Sequence, residues 1–543
     1  MSANDSYESN VSRRQFLTAL GAAGGTGVMY KAMASLGLFA PPLGAQTPNW
    51  VPPASGHGRG SEVVVLGAGI AGLTAAYELN KAGYSVTLLE GRERSGGRNW
   101  TVRGGDRFTE TDGTTQTCQF SGNQYMNMGP ARIPQHHTTI EYCRELGVPL
   151  EPFVNQNADA YYFNDSGALS GQPVRHRTAK SDLYGYISQM LAKATDQAAL
   201  DLPLTANEKE LLVDFLRNFG DLTEDKLYTG STRRGYSKEP SAGLQPGEID
   251  LPPFNFGDLL RSEFGLNFSF EFGWNQAMMM FQPVGGMDAI PNALEEAIRP
   301  RTRTIYGAKV SGIYNTEDGV QVVYSRSLGR GRGRGQQGQE REIDAKYCIC
   351  TIPPQILKKI DSNFSNAVKQ ALEVPTPLST GKIGLEYNKR FWEEDERILG
   401  GITNTNMDVN TIWYPSNDYL SDRGVVIGYY NFGGAHDEYS ALSPLERQER
   451  ALSRGEKIHG PAYRRYLASS VSVAWNKTPF SEGGWVFWPT TGGERVPAYE
   501  LLNQPAGNVH FAGDHLSYYI AWQAGAFDSA RKVVMEVAER DRA

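Results

Sequence analysis

From residue 62 onward the chain passes through short apolar runs separated by amphipathic or glycine-rich stretches. Val63, Val64, Val65 and Leu66 are four consecutive apolar residues. Such a run, without alternation, predicts a strand buried on both faces. A glycine-rich turn follows, Thr74 to Lys81 continues as a helix, and Ser85 to Leu89 predicts a second strand. Strand, turn, helix and strand in this order make a βαβ unit. Further on, Thr304 to Tyr324 alternates apolar and polar residues and predicts two strands. Tyr347 to Thr351 predicts another buried strand, with Cys348 and Cys350 on the same side. Helical periodicity returns over Asn207 to Phe219. These patterns predict an α/β core combined with an α+β part.

The turn after the first strand carries candidate chemistry. Gly67, Gly69 and Gly72 form G-x-G-x-x-G, with Ala71 inside it. The first two glycines let backbone approach a pyrophosphate, and the third permits close helix–strand packing. The amides of the helix N-terminus can face phosphate. Glu90 closes the second strand, where a carboxylate accepts hydrogen bonds from a ribose. The glycine pattern alone is a weak signal; with strand, helix and acid in register it predicts a Rossmann-like dinucleotide site.

Composition narrows the class. The 543 residues suffice for two or three domains, 40% of them are hydrophobic, and the formal charge is −7. That balance argues against a dedicated nucleic-acid binder. The 27 Tyr, 22 Phe and 9 Trp fit large apolar interiors or an aromatic pocket. Cys118, Cys143, Cys348 and Cys350 form no metal-ligand pattern with the eight histidines, so core roles are expected and no metal site. Residues 1–45 resemble a twin-arginine export signal: Arg13 and Arg14 precede a Gly/Ala-rich apolar run that Lys31 interrupts. This predicts passage of a folded protein through the twin-arginine machinery, to the periplasm or beyond, rather than a permanent anchor. GRGRGRGQQGQ at 329–339 reads as a solvated hairpin tip.

Beyond Glu90, the stretch GRERSGGR at 91–98 resembles the extension found in flavin-containing amine oxidases. Gly91 stands where that family often has Ala. The resemblance implies FAD, with Gly91, Arg92, Gly97 and Arg98 near it. It continues through QPVGGMDAIPNAL (282–294), the T-x-P-P strand end after Cys350, and VHFAGDHLS near the C-terminus. By resemblance the backbone of Val310 holds the adenine and Asp514 binds the ribityl chain. The implied layout is a discontinuous FAD-binding domain (60–127, 282–377 and 490–543), a mixed-sheet substrate domain (128–165 and 378–489) and a helical insertion (166–281).

Residues 128–134 read MGPARIP. Within the family this most resembles the L-amino-acid oxidases, whose G-P-x-R-x-P arginine binds the substrate carboxylate. Arg132 is the corresponding residue, and Gly129, Pro130, Ala131 and Arg132 are expected against the cofactor. A planar guanidinium matches a carboxylate in two hydrogen bonds. By position Tyr429 resembles the tyrosine that also meets the carboxylate, in preference to its neighbour Tyr430. Lys382 resembles the lysine that holds a water beside flavin N5. Trp522 resembles the aromatic wall of the substrate cavity and a flavin contact. Ala521, often Gly in the family, would accept from the substrate amine through its carbonyl. Trp475 and Trp485 are open between flavin contact and core, and His137 between a base and a helix cap. The resemblance implies hydride transfer from Cα of an L-amino acid to flavin N5, with dioxygen as final acceptor. The products are a 2-oxo acid, ammonia and hydrogen peroxide, with activity favoured at mildly alkaline pH. A homo-oligomer, a dimer, is expected. The alternatives are a monoamine or polyamine oxidase, and a dehydrogenase using another electron acceptor.

Overall fold

The apolar run at 63–66 forms the middle strand of a five-stranded parallel sheet. Its order is Thr302–Ile305, Ser85–Leu89, Glu62–Leu66, Tyr347–Cys350 and Val509–Phe511. The computed structural model describes residues 50–197, 199–200, 203–326, 339–491 and 494–542. The export-type signal and the Gly/Arg tract up to residue 338 lie outside the described residues.

The absence of alternation in this run has a direct cause. Val63 and Val65 pack with Leu73, Leu79, Phe527 and Val534 under the helices Ile70–Ala82 and Gln523–Arg542. Val64 and Leu66 pack the other way, with Ile313 and Val322 of a four-stranded sheet. Both faces are covered, so apolar residues are favoured at every position. Cys348 and Cys350 share the second of these clusters, and all four cysteines are buried and free. Burial pushes the Cys118 thiol up to about 11 and those of Cys143 and Cys350 up to about 12, as expected of inert core residues.

The sequence pattern is refined in several places. The first helix starts at Ile70, directly after Gly69 and four residues before Thr74. The stretch 304–324 contains parts of three strands, not two: Thr302–Ile305, Ala308–Asn315 and Val320–Arg326. The additional break falls at Gly307, whose φ of 67° turns the chain. The helix expected over 207–219 spans Ala206–Gly220, fixed at its start by a capping box between Thr205 and Glu208.

A seven-stranded sheet forms the other large sheet among the described residues. Its order is Leu467–Ala474, Thr380–Tyr387, Gly424–Phe432, Thr411–Trp413, Ile402–Thr405, Tyr161–Phe163 and Val174–Arg175. One face is closed by the helix Pro444–His459, whose Ala451, Leu452 and Ile458 pack against Ile383, Leu385 and Tyr429. The helices His176–Asp196, Ala206–Gly220 and Phe256–Arg261 lie within the expected insertion. Val174–Arg175, within the same range, belongs to the sheet, and the expected border at 281/282 falls inside the strand Met279–Pro283. That strand pairs with Leu150–Val154.

Candidate active site

A cavity of about 640 Å³ lies between the ends of the parallel strands and the open face of the seven-stranded sheet. Gly67, Gly69, Ala71, Gly91, Gly97 and Val310 line it. Glu90 and Arg92 stand nearby on its wall. Glu90 is 3% exposed and held by two backbone donors: the N–H of Ala68 and that of Arg92, each at 2.8 Å. Arg92 donates to the Pro479 carbonyl at 2.7 Å and Ser481 Oγ at 2.8 Å, so the 91–98 loop is tied to the segment 479–481.

Gly72 does not line the cavity. A Cβ there would stand 1.8 Å from the carbonyl oxygen of Gly67. Its lack of a side chain lets the helix seat against the turn, a packing requirement rather than a ligand contact. Gly129 and Pro130 do line the cavity, and at Gly129 a Cβ would meet the Arg98 carbonyl oxygen at 2.0 Å. The two loops that carry GGR and MGP therefore touch backbone to backbone.

Arg98 and Asp514 are ion-paired at the cavity wall, with a second contact from Arg98 Nη1 to Asp514 Oδ2 at 3.3 Å. Burial alone would raise the Asp514 pKa, but the Arg98 charge and hydrogen bond offset it and leave the group below the usual carboxylate range. Asp514 also accepts from the Ala521 N–H at 3.1 Å. Ala521 lines the cavity with φ at 68°, a left-handed conformation that costs a non-glycine residue about 1 kcal/mol. Ala521→Gly should therefore raise the melting temperature by about 1–2 °C. Calorimetry on the flavin-loaded protein checks this; a lower melting temperature would show that the methyl group packs more favourably than the backbone strains.

Lys382 projects into the same cavity from near the start of the fully buried strand Thr380–Tyr387. It is 2% exposed, donates to the Gly129 carbonyl, and reaches the Asn127 carbonyl at 3.4 Å. Burial, aided by the neighbouring Arg132 charge, lowers its pKa to about 7. Lys382 sits directly opposite Tyr430 in the antiparallel ladder, while Ile383 sits opposite Tyr429. Directly paired residues share a face. Tyr430 accordingly lines the cavity, with the Lys382 ammonium 4.6 Å from its ring centroid. Tyr429 points to the other face, fully buried against Tyr439 at 4.5 Å. The preference for Tyr429 over Tyr430 is thus corrected by strand register.

Ala131 and Arg132 do not line the cavity either. Ala131 packs into a small apolar cluster with Phe153, Met280, Ile402 and Trp413. The half-buried Arg132 guanidinium lies over Trp413 at 4.6 Å, with Phe270 at 5.6 Å and Trp522 at 6.0 Å. It donates to Asn155 Oδ1 at 2.8 Å. Arg132 is therefore set beside the cavity, next to the Trp522 wall and close enough to Lys382 for the two charges to oppose each other.

Trp475 and Trp485 also line the cavity. Trp475 donates from Nε1 to the Met128 carbonyl at 3.1 Å. His137 occupies the position just before the helix Thr138–Glu145, without a side-chain cap. Its ring meets Trp522 edge-on at 5.1 Å and Asn275 Oδ1 at 2.9 Å. Burial lowers its pKa to about 4, so the ring is neutral near pH 7. The sequence reading missed Trp413 and Asn155. Both lie far from Arg132 in the chain, and neither sits in a motif.

The chain matches a family model for flavin containing amine oxidoreductases over residues 70–538. A putative L-amino-acid oxidase of Bacillus subtilis, YobN, is 27% identical over 88% of this chain and 94% of its own. L-amino acid oxidase bordonein-L of Crotalus durissus terrificus is 27% identical over 85% of this chain and 83% of its own. Among solved structures, cyclohexylamine oxidase from Brevibacterium oxydans superposes with a TM-score of 0.58 at 19% identity, covering 89% of this chain and all of that one. Putrescine oxidase bound to putrescine gives a TM-score of 0.56 at 17% identity, over 88% of this chain and 99% of that one. The structural likeness establishes a shared fold.

Proposed function

Because the chain belongs to the flavin-containing amine oxidoreductase family, we propose that it is an FAD-dependent L-amino-acid oxidase. The observation that carries this reading is the placement of the Arg132 guanidinium over Trp413 and beside the Trp522 wall of the cavity, within electrostatic reach of Lys382, which itself lies against Tyr430. A planar guanidinium beside the cavity offers a substrate carboxylate two parallel hydrogen bonds, and an amine without a carboxylate cannot use them.

The residues fit FAD. The turn at Gly67 and Gly69 and the helix start at Ile70 offer backbone donors for a pyrophosphate. Glu90, fixed by two backbone N–H groups, presents its remaining lone pairs to a ribose. FAD held there would supply the hydride acceptor for the Cα–H bond and the route of the two electrons to dioxygen, which would become hydrogen peroxide. The chain's own residues do the rest. Arg132 takes the carboxylate in its planar fork, Tyr430 adds a hydroxyl donor from the sheet, and the Ala521 carbonyl accepts from the amine. Three fixed contacts select one face of Cα and hence the L-enantiomer. Lys382, largely neutral at mildly alkaline pH above its depressed pKa of about 7, can hold a water through its amine while the Gly129 carbonyl accepts a hydrogen bond from it. The imino acid then hydrolyses in water to the 2-oxo acid and ammonia.

Peroxide release against every L-amino acid, its D-enantiomer and a panel of simple amines tests the reading. Turnover confined to L-amino acids is expected; turnover of amines alone would move the protein to the amine oxidases. The two tyrosines separate the faces of the strand. Tyr430→Phe should raise KM for L-amino acids roughly tenfold, the worth of one hydrogen bond to a charged group. Tyr429→Phe, on the opposite face, should leave KM unchanged. Equal effects of the two would remove Tyr430 from the carboxylate.

A further inference from the structure

We infer that Asn155 is a positioning residue that sets the orientation of the Arg132 guanidinium and so the selectivity for substrates bearing a carboxylate; this rests on the L-amino-acid oxidase reading. Asn155 follows the strand Leu150–Val154 and is 0% exposed. Both ends of its amide are engaged. Nδ2 donates to the Ala277 carbonyl at 2.9 Å and to Gln276 Oε1 at 3.2 Å. Oδ1 accepts from Arg132 Nη1 at 2.8 Å. Two acceptors on one side require the amide nitrogen there, so the oxygen must face the arginine. The backbone is fixed as well, since the Asn155 N–H donates to the Met278 carbonyl at 2.8 Å.

Pinned at Nη1 and stacked on Trp413, the guanidinium is held in one orientation before substrate arrives. Fixing a fork in advance removes the ordering cost from binding, which favours the ligand whose geometry the fork matches. The same segment also reaches the other cavity wall: Asn275 accepts from or donates to His137, and His137 packs edge-on against Trp522. Residues 275–277 thus brace both the clamp and the wall beside it.

Asn155→Asp and Asn155→Ala test this on the flavin-loaded, full-length protein. Asp keeps the shape of Asn but places a carboxylate against Arg132, where it competes with that of the substrate. Ala removes the anchor. The substrate is the L-amino acid that gives most peroxide; binding of its decarboxylated amine and of its deaminated carboxylate is followed by calorimetry. Both variants should raise KM for the amino acid and Kd for the carboxylate at least tenfold, with kcat within threefold and no change in Kd for the amine. Should Ala fail to fold, the shape-conserving Asp variant decides alone, with flavin content and melting temperature as controls. An unchanged Kd for the carboxylate in a folded Asp variant, or an equal loss of affinity for carboxylate and amine, would overturn the inference while leaving the oxidase reading standing. Wild-type protein that turns over no L-amino acid would overturn both.

Discussion

Arg132→Met should raise KM for L-amino acids roughly a hundredfold, with a much smaller effect on kcat and none on the affinity for the matching decarboxylated amine. The magnitude follows from the interaction removed. A bidentate, charge-assisted pair in a partly desolvated site is worth about 3 kcal/mol, or two orders of magnitude in binding. Arg132→Lys keeps the charge and loses the fork, so it should recover only part of that loss. A second consequence concerns Lys382. The Arg132 charge is the lesser of the two causes that depress the Lys382 pKa, after burial. Removing it should move any ionisation of Lys382 seen in the pH–rate profile to higher pH, a shift that a merely structural loss would not produce. Steady-state kinetics with L-amino acids and amines across pH measure both effects. An unchanged KM for amino acids would take the carboxylate away from Arg132 and return the chain to the amine oxidase alternative.

The parts legible in the sequence are those written in local patterns. The run 63–66, the glycine turn and Glu90 lie within one βαβ unit, where the run is a buried strand, Gly67 and Gly69 line the cavity and Glu90 is a buried carboxylate. Lys382 stood out as the one cation near the start of a strand, and every residue of that strand is buried. The choice between Tyr429 and Tyr430 was not legible, because it depends on pairing register, and one residue of slip exchanges the two faces. The ladder even changes register between Ile383 and Gly384, which no periodicity in Gly424–Phe432 announces. Ala131 and Arg132 were expected against the cofactor; they instead face a cluster assembled from residues 153, 280, 402 and 413. Such contacts join segments up to about 280 positions apart in the chain, and only tertiary packing brings them together. Asn155 carries no motif for the same reason: its meaning comes from Arg132 and Ala277, which reach it from two other loops.

Lys382→Met should do two opposite things, lowering kcat roughly 10²–10⁴-fold and raising stability at neutral and acid pH. The first effect is the usual worth of a positioned group that acts at a reacting centre through one held water. The second follows from linkage. In the unfolded chain Lys382 keeps its proton up to its ordinary pKa of 10.5, whereas in the folded protein burial lowers the pKa to about 7. Between these values the unfolded state binds more protons, so stability rises with pH. Below pH 7 the folded protein carries the full cost of the buried ammonium. At 1.36 kcal/mol per pKa unit that cost is at most about 5 kcal/mol. The Gly129 and Asn127 carbonyls that lose their donor offset part of the gain, leaving about 2–4 kcal/mol. The advantage of Met over Lys in melting temperature should therefore be greatest below pH 7 and shrink steadily between pH 7 and 10.5. Calorimetric melting of both flavin-loaded proteins across that range measures it. A pH-independent difference would mean that Lys382 keeps its charge in the folded state, and the water-holding role proposed for a neutral amine would fall with it. A large loss of kcat together with a stability gain that fades as pH rises would instead identify Lys382 as a residue whose burial costs stability in exchange for catalysis.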